Sequence, residues 1–227
     1  MAKIKRAPDK RRCPFKSALR THPEYWYTLF LPGYLLVFAL VERLIPADGD
    51  YWISCIPLDD KIPFLEIFVI PYCMWYFLLL GVGLSLLRAD APQFCRYMRF
   101  LIFGFGFSMV VFLLFPNGQT LRPAEMPRDN ICTRLLAFLY AADTNTNVLP
   151  SMHVVGCGAV VCGVFHTKSP LRRWRWVILL LALLISVSTL FVKQHSILDL
   201  LAGIAVTLPL YRFIYRKKEK MPKSAPD

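Results

Sequence analysis

Two histidines and one aspartate form the most chemically suggestive pattern in the sequence. His195 and Asp199 stand four positions apart in KQHSILD, a spacing that places both side chains on one face of a helix. A carboxylate there can receive one imidazole N–H and leave the other ring nitrogen free as a base or nucleophile. His153, in PSMH, begins a long apolar stretch, where a buried imidazole is costly unless it has a partner or a task. We expect His153 to transfer a proton to a group bound near His195.

Anion binding is the second chemistry that the polar residues predict. Pro150 and Ser151 suit the first turn of a helix, whose free amides and positive dipole end attract an anion such as phosphate. Arg122 lies in a long polar loop, and Lys193 stands two residues before His195. A guanidinium binds phosphate oxygens through a planar fork, and an ammonium group binds them as a point charge. Together these residues predict a site for phosphoryl transfer.

Other interpretations of the same residues remain open from the sequence. An isolated His-x-x-x-Asp is commonly a surface pair, Arg-Pro is commonly a turn, and a serine before an apolar run is commonly a helix cap. The two histidines and Asp199 could instead bind a metal, but without further local ligand spacing the sequence favours this less. We therefore expect neither a metal nor a cofactor. The order, shared face and charge of the three groups favour catalysis.

The elements that must position these residues are membrane helices. Of the 227 residues, 56% are hydrophobic, which argues against a soluble protein. Six apolar segments each approach the roughly 17 to 25 residues that a helix needs to cross a bilayer. We predict an all-α membrane protein built as a six-transmembrane-helix bundle. The segments are residues 25–45, 62–87, 99–115, 151–167, 175–192 and 197–215.

The distribution of basic residues predicts the topology. The formal net charge is +12, and 21 of the 27 Lys and Arg residues lie in the two ends of the chain and in alternate loops. This positive-inside pattern predicts that both termini are cytoplasmic, and that the charge meets anionic lipid headgroups rather than nucleic acid. The three polar groups then share the non-cytoplasmic face. The predicted organisation is a basic segment 1–24, a membrane domain 25–215 with an outer loop 116–150, and a basic tail 216–227.

The outer loop has features of its own. Its apolar-periodic stretch ICTRLLAFLYAA predicts a short helix at the membrane surface. Of the seven cysteines, Cys55 and Cys132 both lie in predicted outer loops. They either pair or remain free thiols, and the sequence does not decide between the two.

An ordered set of motifs runs through the predicted helices. The motifs are, in chain order, Arg122-Pro123, Pro150-Ser151-x-His153 and His195-x3-Asp199. This set resembles the membrane-bound type 2 phosphatidic acid phosphatase superfamily, which also includes sphingolipid phosphotransferases. The resemblance spans residues 115–203, and the flanking helices fit the six-helix bundle of that family.

The resemblance implies a role for each motif residue and a chemistry that needs no metal. It implies that His195 attacks phosphorus to form a phosphohistidine and that Asp199 orients this imidazole. It further implies that His153 protonates the leaving oxygen, while Ser151 and Arg122 hold the phosphate.

The chain departs from the motifs of that family at two cationic positions. The family has a lysine seven positions before the Arg-Pro arginine, where this chain has Phe115. It has an arginine after the serine of the third motif, where Ser188 is followed here by Thr189. We expect Lys193 and Arg128 to supply substitute positive charge. The surroundings DTNTNVLPSMH and KQHSILDLLAG look closer to the divergent phosphatase and inositolphosphotransferase-like branches than to the branch with complete motifs.

The leading functional hypothesis is an integral membrane phosphatase that hydrolyses a lipid phosphate or diphosphate at the outer membrane face. A lipid phosphotransferase, similar to an inositolphosphotransferase or a sphingolipid synthase, would form the same intermediate and pass the phosphoryl headgroup to an alcohol. An inert scaffold or transporter that keeps the fold is the third alternative. The expected partners are an amphiphilic lipid phosphate and membrane lipids, whereas the sequence predicts no particular oligomeric state.

Overall fold

Helices account for most of the structure, which is a computed structural model that describes residues 23–45 and 49–216. A 3₁₀ turn at Pro23–Leu29 leads into the first α-helix. Two short strands, β1 (Trp52–Ile53) and β2 (Asn117–Gly118), pair in parallel. The α-helices of the described residues are α1 (Phe30–Leu44), α2 (Val69–Ala89), α3 (Ala91–Leu114), α4 (Ile131–Ala142), α5 (Met152–His166), α6 (Arg175–Phe191) and α7 (Ile197–Tyr215).

Five helical segments of the described chain are long and apolar enough to cross a membrane. They are Pro23–Leu44, Glu66–Ala89, Ala91–Leu114, Pro170–Phe191 and Ile197–Tyr215. These segments support a multi-pass membrane protein, but the predicted count of six spans is not confirmed. The helix expected as the fourth span, α5, has 15 residues, a length of about 22 Å. It packs against α2, α3, α6 and α7, so protein rather than lipid surrounds most of it and its length need not match the bilayer.

The two ends of the helix bundle differ in charge. At one end, Gln93 Nε2 donates to Tyr215 Oη at 3.2 Å, and Thr167 Oγ1 donates to Asp90 Oδ2 at 2.7 Å. This end of the bundle is therefore formed by the α2–α3 turn, the end of α5 and the end of α7. The basic residues of these segments lie there as well. The predicted basic segments at the two ends of the chain lie outside the described residues, apart from positions 23, 24 and 216. The histidines of the motifs lie at the opposite end.

Polar connections form an outer cap over the histidine end of the bundle, made of residues 50–65 and 115–150. The paired strands β1 and β2 join the two parts of this cap. The predicted short helix is present as α4. Its N-cap residue is Asn130, whose side-chain oxygen accepts hydrogen bonds from two backbone N–H groups of the first turn. Cys55 and Cys132, both in the outer cap, are free thiols.

Two amide side chains of the outer cap hold the segments that carry the histidines. Asn117 Nδ2 donates to Leu149 O at 3.1 Å, and its Oδ1 accepts from Val148 N at 3.1 Å and from Leu149 N at 2.8 Å. Gln119 Nε2 donates to Lys193 O at 3.1 Å. The cap therefore fixes both the approach to α5 and the turn before α7.

Candidate active site

The imidazole of His195 and the carboxylate of Asp199 lie together at the start of α7, with Nδ1 3.5 Å from Oδ2. The helix begins only at Ile197, so the two side chains do not share a helical face, in contrast to the expectation from their spacing. Ser196 is the N-cap residue instead. Its Oγ accepts from Asp199 N at 3.1 Å, while Asp199 Oδ2 accepts from Ser196 N at 2.7 Å. This capping box fixes the carboxylate beside Nδ1 of His195 and leaves Nε2 available for chemistry.

His153 is held at the start of α5 by aromatic rings of α2. Its ring centroid lies 4.4 Å from that of Trp75 and 4.5 Å from that of Tyr72. Trp75 Nε1 also donates to His153 O at 3.1 Å. The imidazole lies 5.5 Å from that of His195, and its buried Nε2 has no hydrogen-bond partner in the described structure. The structure thus brings the two predicted histidines together.

Ser151 joins the start of α5 to α7, because its backbone N–H donates to Asp199 O at 3.0 Å. It is the N-cap residue of α5, and Pro150 precedes it, so the proline lies outside the first turn predicted for it. The Ser151 hydroxyl makes no capping hydrogen bond and is buried without a partner. A hydroxyl in this position can donate to an anion at the helix N-terminus.

Arg122 reaches the site from the outer cap. Its guanidinium lies 4.5 Å above the ring of Tyr140 and donates to Tyr140 O at 3.2 Å and to Thr144 O at 2.6 Å. It also donates to Oε1 of Gln194, the residue before His195. Burial lowers the pKa of Arg122, but an arginine side chain stays protonated in proteins. The site therefore contains one full positive charge, and Nε of that guanidinium is buried without a partner.

Lys193 stands near His195 in sequence, but its ammonium group points elsewhere. The residue has φ 51°, in the left-handed region, and Nζ donates to Asp59 O at 2.9 Å and to Ile62 O at 2.6 Å. There it borders an outer cavity of about 590 Å³. Burial lowers the pKa of Lys193, and Asp59 and Asp60 partly oppose this effect. Two of its three N–H donors bind backbone oxygens of the cap, so these contacts do not give Lys193 the phosphate-binding role expected for it.

The second expected substitute, Arg128, is also directed away from the histidines. Its Nε lies 2.8 Å from Oε1 of Glu66, and 57% of its side chain is exposed. At the two positions where the motifs lack a cation, Phe115 is half-exposed and Thr189 is buried, with its backbone oxygen accepting from His195 N at 3.2 Å. The contacts of these four motif-related positions thus supply no second cation to the site.

Buried polar atoms without a hydrogen-bond partner concentrate around the histidines. The described part of the chain has eight such side-chain atoms. Polar groups inside proteins are normally paired, so a concentration of unpaired ones indicates a place built for a polar ligand. Six of the eight belong to residues of the site, namely Arg122, Ser151, His153, Gln194, His195 and Asp199.

A comparison with known families gives a match over the part of the chain that carries the site. The family model of the PAP2 superfamily matches residues 119–221. Over that range the chain is similar to the PAP2 superfamily. The resemblance inferred from the motifs is thereby confirmed, and every PAP2 motif residue from Arg122 to Asp199 lies inside the match. No curated protein and no solved structure matches the chain.

Two carboxylates near the PAP2 motif residues were not predicted from the sequence. Glu42, in α1, accepts from Asn147 Nδ2 at 2.8 Å, and it also accepts from the backbone and side chain of Thr144. Asp143 ends α4 within electrostatic range of Arg122. Burial, and next the charge of Glu42, raise the pKa of Asp143 to about 6. An acidic residue near the end of an apolar span, as in LVERL, is the signal that would have identified Glu42.

Proposed function

We propose that the protein is an integral membrane phosphatase that hydrolyses a lipid phosphate or diphosphate through a phosphohistidine. PAP2 superfamily members are generally phosphatases, and the apolar helices fit a protein that meets its substrate in a membrane. The observation that carries the proposal is the arrangement of three side chains. Asp199 Oδ2 lies 3.5 Å from Nδ1 of His195, and the ring of His153 lies 5.5 Å from that of His195.

The first chemical step forms the phosphoenzyme. Asp199 accepts the Nδ1–H of His195, so Nε2 carries the lone pair and attacks phosphorus. The new P–N bond forms as the bond between phosphorus and the lipid oxygen breaks, and His153 gives that oxygen its proton. The 3.5 Å separation in the free protein is long for a hydrogen bond, and we expect it to shorten when substrate binds.

The second step releases phosphate. Water attacks phosphorus, His153 accepts a proton from that water, and the P–N bond to His195 breaks. Throughout, the Arg122 guanidinium and the Ser151 hydroxyl donate to the phosphoryl oxygens that do not react. The N-terminus of α5 adds its dipole to the same charge stabilisation.

The proposed orientation places the site on the non-cytoplasmic side of the membrane. The histidines lie at the end of the bundle opposite the basic turns, and positive residues favour the cytoplasmic side. A lipid would then present its headgroup to the motif residues while its tail stays among the helices. Accessibility of single cysteines placed in the outer cap of a variant that lacks the native cysteines, measured in sealed vesicles, tests this orientation.

A substrate panel tests the activity. Purified protein in detergent is incubated with lipid phosphates and diphosphates, and released inorganic phosphate is measured for the wild type and for His195→Ala. We expect release by the wild type and a loss of at least about a thousandfold in the variant. Turnover that requires an added alcohol would identify a phosphotransferase instead, and no turnover across the panel would support an inert membrane protein.

A further inference from the structure

Gln194 presents a buried donor that the mechanism above does not use. Its side chain is 3% exposed, and its Oε1 accepts a hydrogen bond from Arg122 Nη2. A guanidinium has donors and no acceptor, so this contact fixes which end of the amide is oxygen and which is nitrogen. The nitrogen, Nε2, is buried and has no hydrogen-bond partner among the described residues. An unpaired buried donor is costly, so one that stays buried beside reactive groups indicates a ligand.

The surroundings of Gln194 place this donor at the reaction centre. His195 follows it directly in the chain, and Arg122 contributes a second unpaired donor, Nε. Tyr72 connects the amide to the other histidine. Its ring lies 4.5 Å from that of His153, and its hydroxyl lies beside the Gln194 side chain.

We propose that Gln194 Nε2 and Arg122 Nε together bind the non-bridging phosphoryl oxygens of the substrate. Gln194 thus takes the part of a motif cation that this chain lacks at Phe115 and Thr189. An amide donates a hydrogen bond without adding charge. A second buried cation beside Arg122 would instead be repelled by the guanidinium. This inference rests on the proposed phosphoryl chemistry and deepens it, because it assigns the groups that recognise the phosphoryl oxygens.

The alternative is that Gln194 has a purely structural role and only orients Arg122. A second buried glutamine, Gln119, has such a structural role. Gln119 is fully buried, its Nε2 donates to Lys193 O and its Oε1 accepts from Leu121 N. Both ends of that amide are used by the protein itself. Gln119 is therefore the matched control for Gln194.

Two variants of Gln194 separate the roles. Gln194→Glu keeps an oxygen to accept from Arg122 and replaces the free donor with a second oxygen, which repels phosphate. Gln194→Met removes the donor without adding charge. The readout is binding of inorganic phosphate to the purified full-length protein, measured as thermal stabilisation and, where turnover is found, as product inhibition. We expect both variants to weaken phosphate binding by about ten- to a hundredfold, because a lost hydrogen bond to a charged group has an effect of that size.

The control and the outcomes distinguish this inference from the proposed function. Gln119→Glu is expected to lower the melting temperature, because Gln119 holds the turn before α7, and to weaken phosphate binding by less than either Gln194 variant. If phosphate stabilises the wild type and not the Gln194 variants, the inference stands even when the substrate panel shows no hydrolysis. Equal phosphate binding by the wild type and both Gln194 variants would overturn it even if hydrolysis is found. A wild type that phosphate does not stabilise would also overturn it.

Discussion

The imidazole rings of His153 and His195 meet edge to face, with centroids 5.5 Å apart and ring planes inclined by 65°. Their surroundings differ. His195 lies beside the carboxylate of Asp199, whereas His153 contacts the rings of Tyr72 and Trp75. A carboxylate favours a nucleophilic imidazole with a fixed tautomer, and the aromatic walls hold the second imidazole without such a partner. The geometry therefore predicts that replacing His153 and replacing His195 have different effects on the kinetics.

Replacing His153 should affect substrates according to their leaving groups. A lipid alkoxide leaves poorly without a proton, so His153→Ala should lower kcat for a lipid phosphate by about 10²- to 10⁴-fold. An aryl phosphate with an acidic phenol needs little protonation to leave, so the same variant should form the phosphoenzyme from that substrate at close to the wild-type rate. Its later turnover should slow, because His153 also accepts the proton of the attacking water in the second step. The amount and rate of phenol or alcohol released in the first turnover measure the difference between the two substrates.

His195→Ala is the matched control for that experiment, because loss of the nucleophile should remove activity on both substrates. Equal losses in the rate of this first step on the lipid and aryl phosphates in His153→Ala would contradict a role as the general acid.

The sequence predicted that His195 and Asp199 act together but not the contact that holds them. The spacing of His195 and Asp199 suggested one helical face, yet the helix starts after His195 and the carboxylate is oriented by its capping box with Ser196. The sequence SILD contains the S-x-x-D pattern of a capping box, and this pattern would have predicted a helix start at Ser196. Helix length was less predictable, because α5 is surrounded by protein, and its burial becomes known only from the packing of its neighbours.

The cationic partners of the site could not be predicted from charge alone. Lys193 and Arg128 are near the motifs in sequence, but backbone oxygens of the outer cap bind the first and Glu66 binds the second. The direction of a long side chain depends on its backbone conformation and on distant acceptors, such as Asp59 O and Ile62 O for Lys193. Gln194 carries no charge, so the distribution of charge in the sequence does not indicate that it belongs to the site.

Removal of divalent metal ions should leave the activity intact. Within the described residues, no group of three or more His, Cys, Asp or Glu side chains is arranged to hold a metal ion. The proposed chemistry uses His195 as nucleophile and His153 as acid, so phosphate release should stay within twofold of its starting value after treatment with EDTA. Loss of activity with the chelator and its return with zinc would instead support metal binding by the histidines and Asp199.

Asp143 should make the stability of the protein depend on pH. Burial and the charge of Glu42 raise its pKa from 3.8 to about 6 in the folded state. Between these values the folded protein keeps a proton that the unfolded chain releases, so the free energy of unfolding falls as pH rises through this window and levels off above about 6. Asp143→Asn mimics the protonated form and should be more stable than the wild type at pH 8, by at most about 3 kcal/mol.

Melting temperatures of the wild type and Asp143→Asn, compared from pH 4.5 to 8 in detergent, test this expectation. The difference between them should be small at the acidic end and should grow up to about pH 6. A difference that stays constant over the whole range would show that Asp143 does not titrate there.

Glu42 should stabilise the site although it lies outside the range matched to the family. Its carboxylate accepts from Asn147 Nδ2 at 2.8 Å and from Thr144, in the segment that leads to Ser151. Glu42→Ala leaves these donors without their acceptor and should lower the free energy of unfolding by about 1–3 kcal/mol. It should also lower kcat, because the approach to α5 is loosened.

The control for Glu42 is Asp129→Ala, which removes the exposed pair with Arg134. Exposed ion pairs contribute little, so this variant should change the stability by less than about 1 kcal/mol. Thermal unfolding and phosphate release measure both effects, and similar results for the two variants would argue against a specific role of Glu42.

Close contact between α7 and the start of α5 at Gly203 should be essential for the geometry of the site. A Cβ at this position would lie 2.8 Å from Val154 Cβ and 2.9 Å from Ser151 O. The second neighbour is backbone and cannot rotate away, so Gly203→Ala must push the helices apart. Overpacking of this kind costs about 1–3 kcal/mol. The shift would also move Asp199 away from Ser151, whose N–H donates to Asp199 O at 3.0 Å.

The matched substitution is Gly81→Ala in α2, where a Cβ would meet no atom within 4 Å. Alanine is favoured over glycine inside a helix, so this variant should be as stable as the wild type or slightly more stable. Gly203→Ala should lower both the melting temperature and kcat, whereas Gly81→Ala should lower neither. If Gly203→Ala keeps wild-type kcat, the distance between α5 and α7 does not control the alignment of His153 with His195, and the two-histidine mechanism would have to tolerate a looser geometry than the structure shows.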